Sequence, residues 1–106
     1  MSERRPPKHI RPDGRRYWRA VVRGFALEEH HFAILTTACE ALDRAAEARF
    51  GIEEHGMLLT PAGGGMTRLN PLVAAEKESM NLFLRAEKQL GLDETQPGPI
   101  GRPPGR

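Results

Sequence analysis

The chain has 106 residues, one cysteine (Cys39) and a net charge of +2, which limits it to one small domain and excludes an intrachain disulfide framework. No run is long and apolar enough to span a membrane, and the charged, proline-rich start MSERRPPKHIRP lacks the apolar core of a signal peptide; with the lone cysteine, this predicts a reducing, cytoplasmic setting. The charge is uneven, with eight basic and two acidic residues in 1–23 and eight basic and twelve acidic residues in the remainder, and a basic arm on an acidic body is a footprint of nucleic-acid contact.

Residues 1–12 contain Pro6, Pro7 and Pro12 and read as a flexible basic arm. Asp13 is placed to cap a short helix from about Gly14 to Gly24, with Tyr17, Trp18, Val21 and Val22 on its apolar side and Arg15, Arg16, Arg19 and Arg23 on its basic side. A long helix follows from about Glu28 to Phe50, with acidic residues in its first turn, where they favour the helix dipole. Phe32, Leu35, Cys39, Leu42 and Ala46 alternate at intervals of three and four, a short coiled-coil-like seam. The other faces are rich in alanine, which permits close helix approach, and Gly51 is the expected stop. Between this helix and the next, Met57–Leu59 and Met66–Leu69 form either a small β-hairpin around Pro61–Gly65 or an irregular loop; such a hairpin is marginal alone.

The stretch from Asn70 to Asp93 carries both of its ends in the sequence. Asn70 is an N-cap, Pro71 suits the first helical position, and Gly91 supplies a left-handed stop on which Leu92 folds back. Leu72, Ala75, Ser79, Phe83, Ala86 and Leu90 form one stripe, and Val73, Met80 and Leu84 a second. One apolar stripe suffices for a surface helix of a small monomer; the second predicts contact with other copies. The expected core includes Phe32, Leu35, Leu42, Phe83 and Leu90. Residues 94–106, with four prolines and three glycines, read as a disordered tail, leaving 13–93 as a helical oligomerisation domain. The predicted fold is all-α, an antiparallel helical hairpin preceded by a short helix.

Catalytic and cofactor signatures are sparse. Gly63-Gly64-Gly65 is not followed by the Gly-Lys-Ser/Thr of a phosphate loop and suffices as a turn. His30 and His31 point about 100° apart on a helix, and no close ligand pair ties either to Cys39 and a loop-borne His55 as a zinc site. Glu53 and Glu54 beside His55 read as a charged helix-end loop. No active site, metal or cofactor is expected. The candidate DNA contacts are Arg4, Arg5, Lys8, Arg11, Arg15, Arg16, Arg19 and Arg23, and the candidate oligomer contacts are Val73, Met80 and Leu84 or the alanine face of the second helix.

The order of these features resembles the small subunit of phage terminases, in the short type from tailed phages. The resemblance runs over roughly residues 14–95: Trp18 on a short first helix, Leu27 entering a helix with ILTTACEALDRAAEA, Gly56 before a strand-like run, a Gly-rich turn, then Asn70-Pro71-Leu72 opening a helix that ends QLGLD. Within it, Cys39-x-x-Leu42-Asp43-Arg44, Asn70-Pro71 and Leu90-Gly91-Leu92 are the more specific elements. The resemblance implies a non-catalytic packaging factor in the host cytoplasm. It would assemble as a ring homo-oligomer, bind double-stranded viral DNA at the packaging site and present it to the large terminase subunit, which carries the ATPase and nuclease. The residues before Leu27 are too few for the separate three-helix DNA-binding module of many small terminases, so DNA contact falls to the arm, the first helix or a surface made by the ring. The alternative is a small dimeric DNA-binding regulator of the antitoxin kind, and a metal enzyme built on the His/Cys set is a third reading.

Overall fold

The computed structural model describes residues 4–92. The expected tail, and the first three residues of the expected arm, lie outside that range. Three helices and a two-stranded antiparallel sheet follow in the order α1 (Pro12–Gly24), α2 (Glu29–His55), β1 (Leu58–Leu59), β2 (Arg68–Leu69) and α3 (Pro71–Leu90).

The last helix forms as its sequence dictates. The Asn70 side chain accepts from the Leu72 N–H at 3.0 Å, Pro71 occupies the first turn, and Gly91 closes the helix in the left-handed region at φ 59°. Asn70 also donates from its amide to the Gly56 carbonyl at 2.8 Å, so one buried side chain both starts α3 and ties it to the end of α2.

α2 runs 27 residues, through Gly51 to His55, past the expected stop. Glycine in a helix interior costs only about 1 kcal/mol, and here its bare Cα has a use: a Cβ at Gly51 would meet the Leu72 side chain of α3. The stop is Gly56, at φ 87°. His55 and its two glutamate neighbours are consequently helical and not in a loop.

α3 returns antiparallel to α2. Gly51 lies against Leu72, Arg49 bridges Glu76 at 3.0 Å, Ala38 and Ala41 cluster with Phe83 and Ala86, and Leu35 clusters with Leu90. The two faces of α2 are assigned differently from the seam expectation. The alanine row, Ala38, Ala41, Ala45 and Ala48, is buried within the subunit, because small side chains let two helix backbones approach. Apart from the exposed Ala33, the alanine face is therefore not a surface held open for a second copy. Leu35 and Cys39 of the seam instead lie under α1, in a cluster with Ile10, Trp18 and Val21. Leu35, Phe83 and Leu90 are buried as expected, while Phe32 and Leu42 are partly buried at the cluster edges.

The hairpin at the α2–α3 turn pairs Leu58 with Leu69 and Leu59 with Arg68. The Gly64 N–H closes its turn on the Pro61 carbonyl at 3.0 Å, and the Thr60 and Thr67 hydroxyls meet across it at 2.7 Å.

α1 departs most from expectation. It begins at Pro12, and Asp13 sits inside its first turn, paired with Arg16 at 3.3 Å. The start is capped from another helix: Asp43 of α2 accepts from the Arg11 N–H at 2.6 Å and the Gly14 N–H at 2.8 Å. Asp43 is 8% exposed, so its charge is held by these two donors and by the positive end of the α1 dipole. Gly14 is what allows α1 to come this close. A Cβ there would lie 2.6 Å from Ile10 Cγ2, 2.8 Å from the Cys39 carbonyl oxygen and 3.0 Å from Asp43 Oδ1. Gly14→Ala is expected to cost about 1–3 kcal/mol by overpacking, despite alanine's better helix propensity, and urea denaturation would measure it; a stabilised variant would refute the close approach.

The described part of the N-terminal segment lies along the helices. Ile10 is 2% exposed, its N–H closes a turn on the Pro7 carbonyl at 3.1 Å, and the Trp18 indole donates to the Arg4 carbonyl at 2.9 Å. Residues 4–11 are thus laid across α1 and α2 instead of projecting as an arm, because Ile10 is an apolar anchor between the charged positions.

Candidate nucleic-acid interface

The eight candidate basic residues fall into two groups. Arg16, Arg19 and Arg23 occupy one exposed face of α1, as spacings of three and four on a helix require. The opposite face is buried through Gly14, Trp18 and Val21. Tyr17 fixes the rotation of α1 further: its ring meets Phe83 edge-on at 5.0 Å and its hydroxyl donates to Glu87 at 3.1 Å. Burial, then the Glu87 charge, push its pKa above the ordinary tyrosine value, so it remains a neutral donor. Rotation of α1 is thereby set by α2 and α3, and the arginine face is turned away from both. Arg15, at the edge of that face, donates to the Lys8 carbonyl at 3.0 Å.

The second group lies on the N-terminal segment. Arg5 and Lys8 are exposed. Arg4 forks onto Glu29 with contacts of 3.1 Å and sits 4.1 Å from the centre of the Phe32 ring. That hydrogen bond, and the charge behind it, hold the Glu29 carboxyl below its ordinary pKa. Arg11 bridges Glu47 at 3.0 Å. The cationic residues are therefore present as read from the sequence, but several already face carboxylates. Sequence reading placed Glu29 in the first turn of the helix but did not pair these acids with the basic segment. Glu29, Glu40 and Glu47 are separated by three turns and two turns of one helix, a spacing that puts them on one face and could have been noticed beside a basic segment.

The candidate oligomer residues are less uniform than a second stripe suggests. Leu84 is 54% exposed. Val73 is half-buried, and Met80 packs against the α2–α3 cluster, so part of that stripe is occupied within the subunit. Other large apolar side chains are exposed at the hairpin end, among them Phe50, Met57, Leu58, Met66 and Leu69.

The adjacent His30 and His31 are well separated from His55 along α2. The His30 and His31 rings lie 4.2 Å apart, tilted by 37°, and His31 Nδ1 accepts from the Glu28 N–H at 2.9 Å, within the start of α2. His55 is 25 residues further along the same helix, roughly 37 Å at 1.5 Å per residue. Cys39 is fully buried, and burial, with the Asp43 charge second, pushes its thiol up to about 12. Among the described residues, no three His, Cys, Asp or Glu side chains are placed to hold a metal ion, and no helix is long and apolar enough to cross a membrane.

These features define a small, mostly helical protein that presents a basic outer helix on a helical hairpin. The chain matches the family of phage terminase small subunits over residues 14–101 and belongs to it. That membership gives it a role in phage DNA packaging. No curated protein and no solved structure matches it.

Proposed function

We propose that this chain is a non-catalytic small terminase subunit that assembles into a ring homo-oligomer in the host cytoplasm, binds double-stranded viral DNA at the packaging site and delivers it to the large terminase ATPase/nuclease. The observation that carries the DNA part is the exposed arginine face of α1. A helix held by Asp43, by Tyr17 and by Trp18 buried against Leu35 and Cys39 offers Arg16, Arg19 and Arg23 at fixed spacing, and a ring would repeat that face around one duplex. Each basic side chain that meets a phosphate releases counterions, with a slope near −0.9 per contact in the salt dependence of affinity.

Changing Arg16, Arg19 and Arg23 together to alanine is expected to weaken binding to all duplex sequences and to flatten the salt slope. Fluorescence anisotropy across a salt series would measure it. Equal affinities and slopes for parent and variant would remove α1 from the DNA site and direct attention to Arg5, Lys8 or the ring body.

Assembly is supported by Leu84 and the exposed apolar side chains of the hairpin end. Native mass spectrometry at micromolar concentration is expected to show a particle larger than a tetramer. Leu84→Glu, which would place an unpaired charge in the subunit contact, is expected to shift that particle to smaller species while helicity is retained. A dimer for the unmodified protein would favour the small regulator instead.

A further inference from the structure

Two arginines and a histidine of the N-terminal segment meet three acids of α2 in matching chain order. Arg4 forks onto Glu29 at 3.1 Å, His9 Nε2 lies 2.7 Å from Glu40, and Arg11 bridges Glu47 at 3.0 Å. Glu29, Glu40 and Glu47 share one face of α2, so the segment lies on a stripe of carboxylates. We infer that residues 4–9 are an autoinhibitory strap: the stripe occupies basic groups that would otherwise meet phosphate, and duplex DNA displaces it. The inference rests on the DNA-binding reading proposed above and names the regulation of that site.

The contacts are of a kind that phosphate can replace. The paired side chains remain open to water, Arg4 and Glu29 at 49% and 83% and Arg11 and Glu47 at 65% and 59% exposure, and exposed pairs of this sort contribute little individually. What fixes the strap is its hinge. Ile10 is buried and the Arg11 N–H is held by Asp43, so the segment before Ile10 can lift while α1 keeps its cap. At the far end, Arg4 covers Phe32 and its carbonyl accepts the Trp18 indole N–H. Lifting the strap therefore frees Arg4 for phosphate and uncovers Trp18, while the exposed Arg11 side chain, past the hinge, can exchange Glu47 for phosphate without backbone movement. Trp18 is the sole tryptophan of the chain, so its emission reports the strap directly.

The test compares the full-length parent with the triple variant E29Q/E40Q/E47Q. A second triple, E53Q/E54Q/E78Q, makes the same change in net charge at exposed positions away from the strap. Each is titrated with a fluorescent DNA duplex by anisotropy, and Trp18 emission is recorded with and without unlabelled duplex. The parent emission is expected to move to longer wavelength at saturation. The strap triple should start red-shifted without DNA and bind more tightly than the control triple, by up to about tenfold if the strap is closed nine-tenths of the time. Arg4→Ala breaks the clamp from the other side and is expected to shift Trp18 without a gain in affinity, since it also removes a phosphate contact. Equal affinity for the two triples, or a Trp18 spectrum unmoved by duplex in the parent, overturns the strap. If parent and both triples, each helical by circular dichroism, fail to bind duplex at low salt, the DNA reading itself falls and the strap's inhibitory role falls with it.

Discussion

Phe83→Ala is expected to destabilise the subunit by about 3–5 kcal/mol, the usual cost of emptying a buried aromatic site. Phe83 is 8% exposed and lies where all three helices meet. It clusters with Ala38 and Ala41 of α2 and with Ala86 of its own helix, and it takes the Tyr17 ring of α1 edge-on at 77°. Its fully buried neighbours Ala38, Ala41 and Ala86 have no side-chain length with which to fill a void, and only the partly buried Ile34, Leu42, Met80 and Leu82 at the cluster edge could relax toward it. The aromatic pair, worth about 0.5–1.5 kcal/mol beyond its area, would go with it. Small domains hold only about 5–15 kcal/mol in total, and one of this size lies low in that range. The variant is therefore expected to be largely unfolded unless assembly supports it. Urea denaturation followed by circular dichroism, at several protein concentrations, gives the measurement. A midpoint equal to the parent's would show that Phe83 is not the centre of the hairpin.

Local signals carried the secondary structure well where the chain ends its own elements. Asn70, Pro71 and Gly91 act within a few residues of the backbone groups they satisfy, so α3 was legible to the residue. Gly51 was misread as a stop because a helix end and a close helix–helix contact ask for the same residue, and only the position of Leu72 separates them. Alanine raises a similar ambiguity. The row Ala38, Ala41, Ala45 and Ala48 permits close approach in any assembly, and periodicity cannot say whether the approaching helix belongs to the same chain. The N-terminal segment was misread because its charge and prolines outweigh a single Ile10, yet one buried side chain and a hinge hydrogen bond are enough to hold it.

The candidate site divides along the same line. The eight cations are visible as composition, and the face shared by Arg16, Arg19 and Arg23 follows from helical spacing alone. Arg16 faces Asp13 one turn away, but the carboxylates of Arg4 and Arg11 are 25 and 36 residues distant in the chain, which no local pattern encodes. The same distance hid the most consequential acid, Asp43. It stands in mid-helix, where aspartate is a weak helix former, and that misfit was the one available hint of a partner elsewhere.

Asp43→Ala is expected to cost about 3 kcal/mol, since hydrogen bonds to a charged group contribute about 1.5–3 kcal/mol each and are not fully additive. Its two oxygens serve different donors, Oδ2 the Arg11 N–H and Oδ1 the Gly14 N–H. Alanine leaves both donors without an acceptor at a buried helix start. Neither can turn to water without moving α1, because Gly14 is wedged between Ile10 and the Cys39 carbonyl. The loss should thus fall on the docking of α1 more than on the α2–α3 hairpin. Hydrogen exchange is expected to show amides of α1 losing protection while those of α3 keep theirs, with Trp18 emission moving to longer wavelength. Asp43→Asn retains one acceptor oxygen but sets an amide donor against the other N–H, so it should lie between parent and alanine. The functional consequence follows from geometry: with α1 loosened, Arg16, Arg19 and Arg23 lose their fixed spacing, and duplex affinity should fall although no basic residue has changed and the net charge has become more positive. An Asp43→Ala protein that bound duplex more tightly than the parent would show that charge, and not the rigid presentation of α1, governs the interaction.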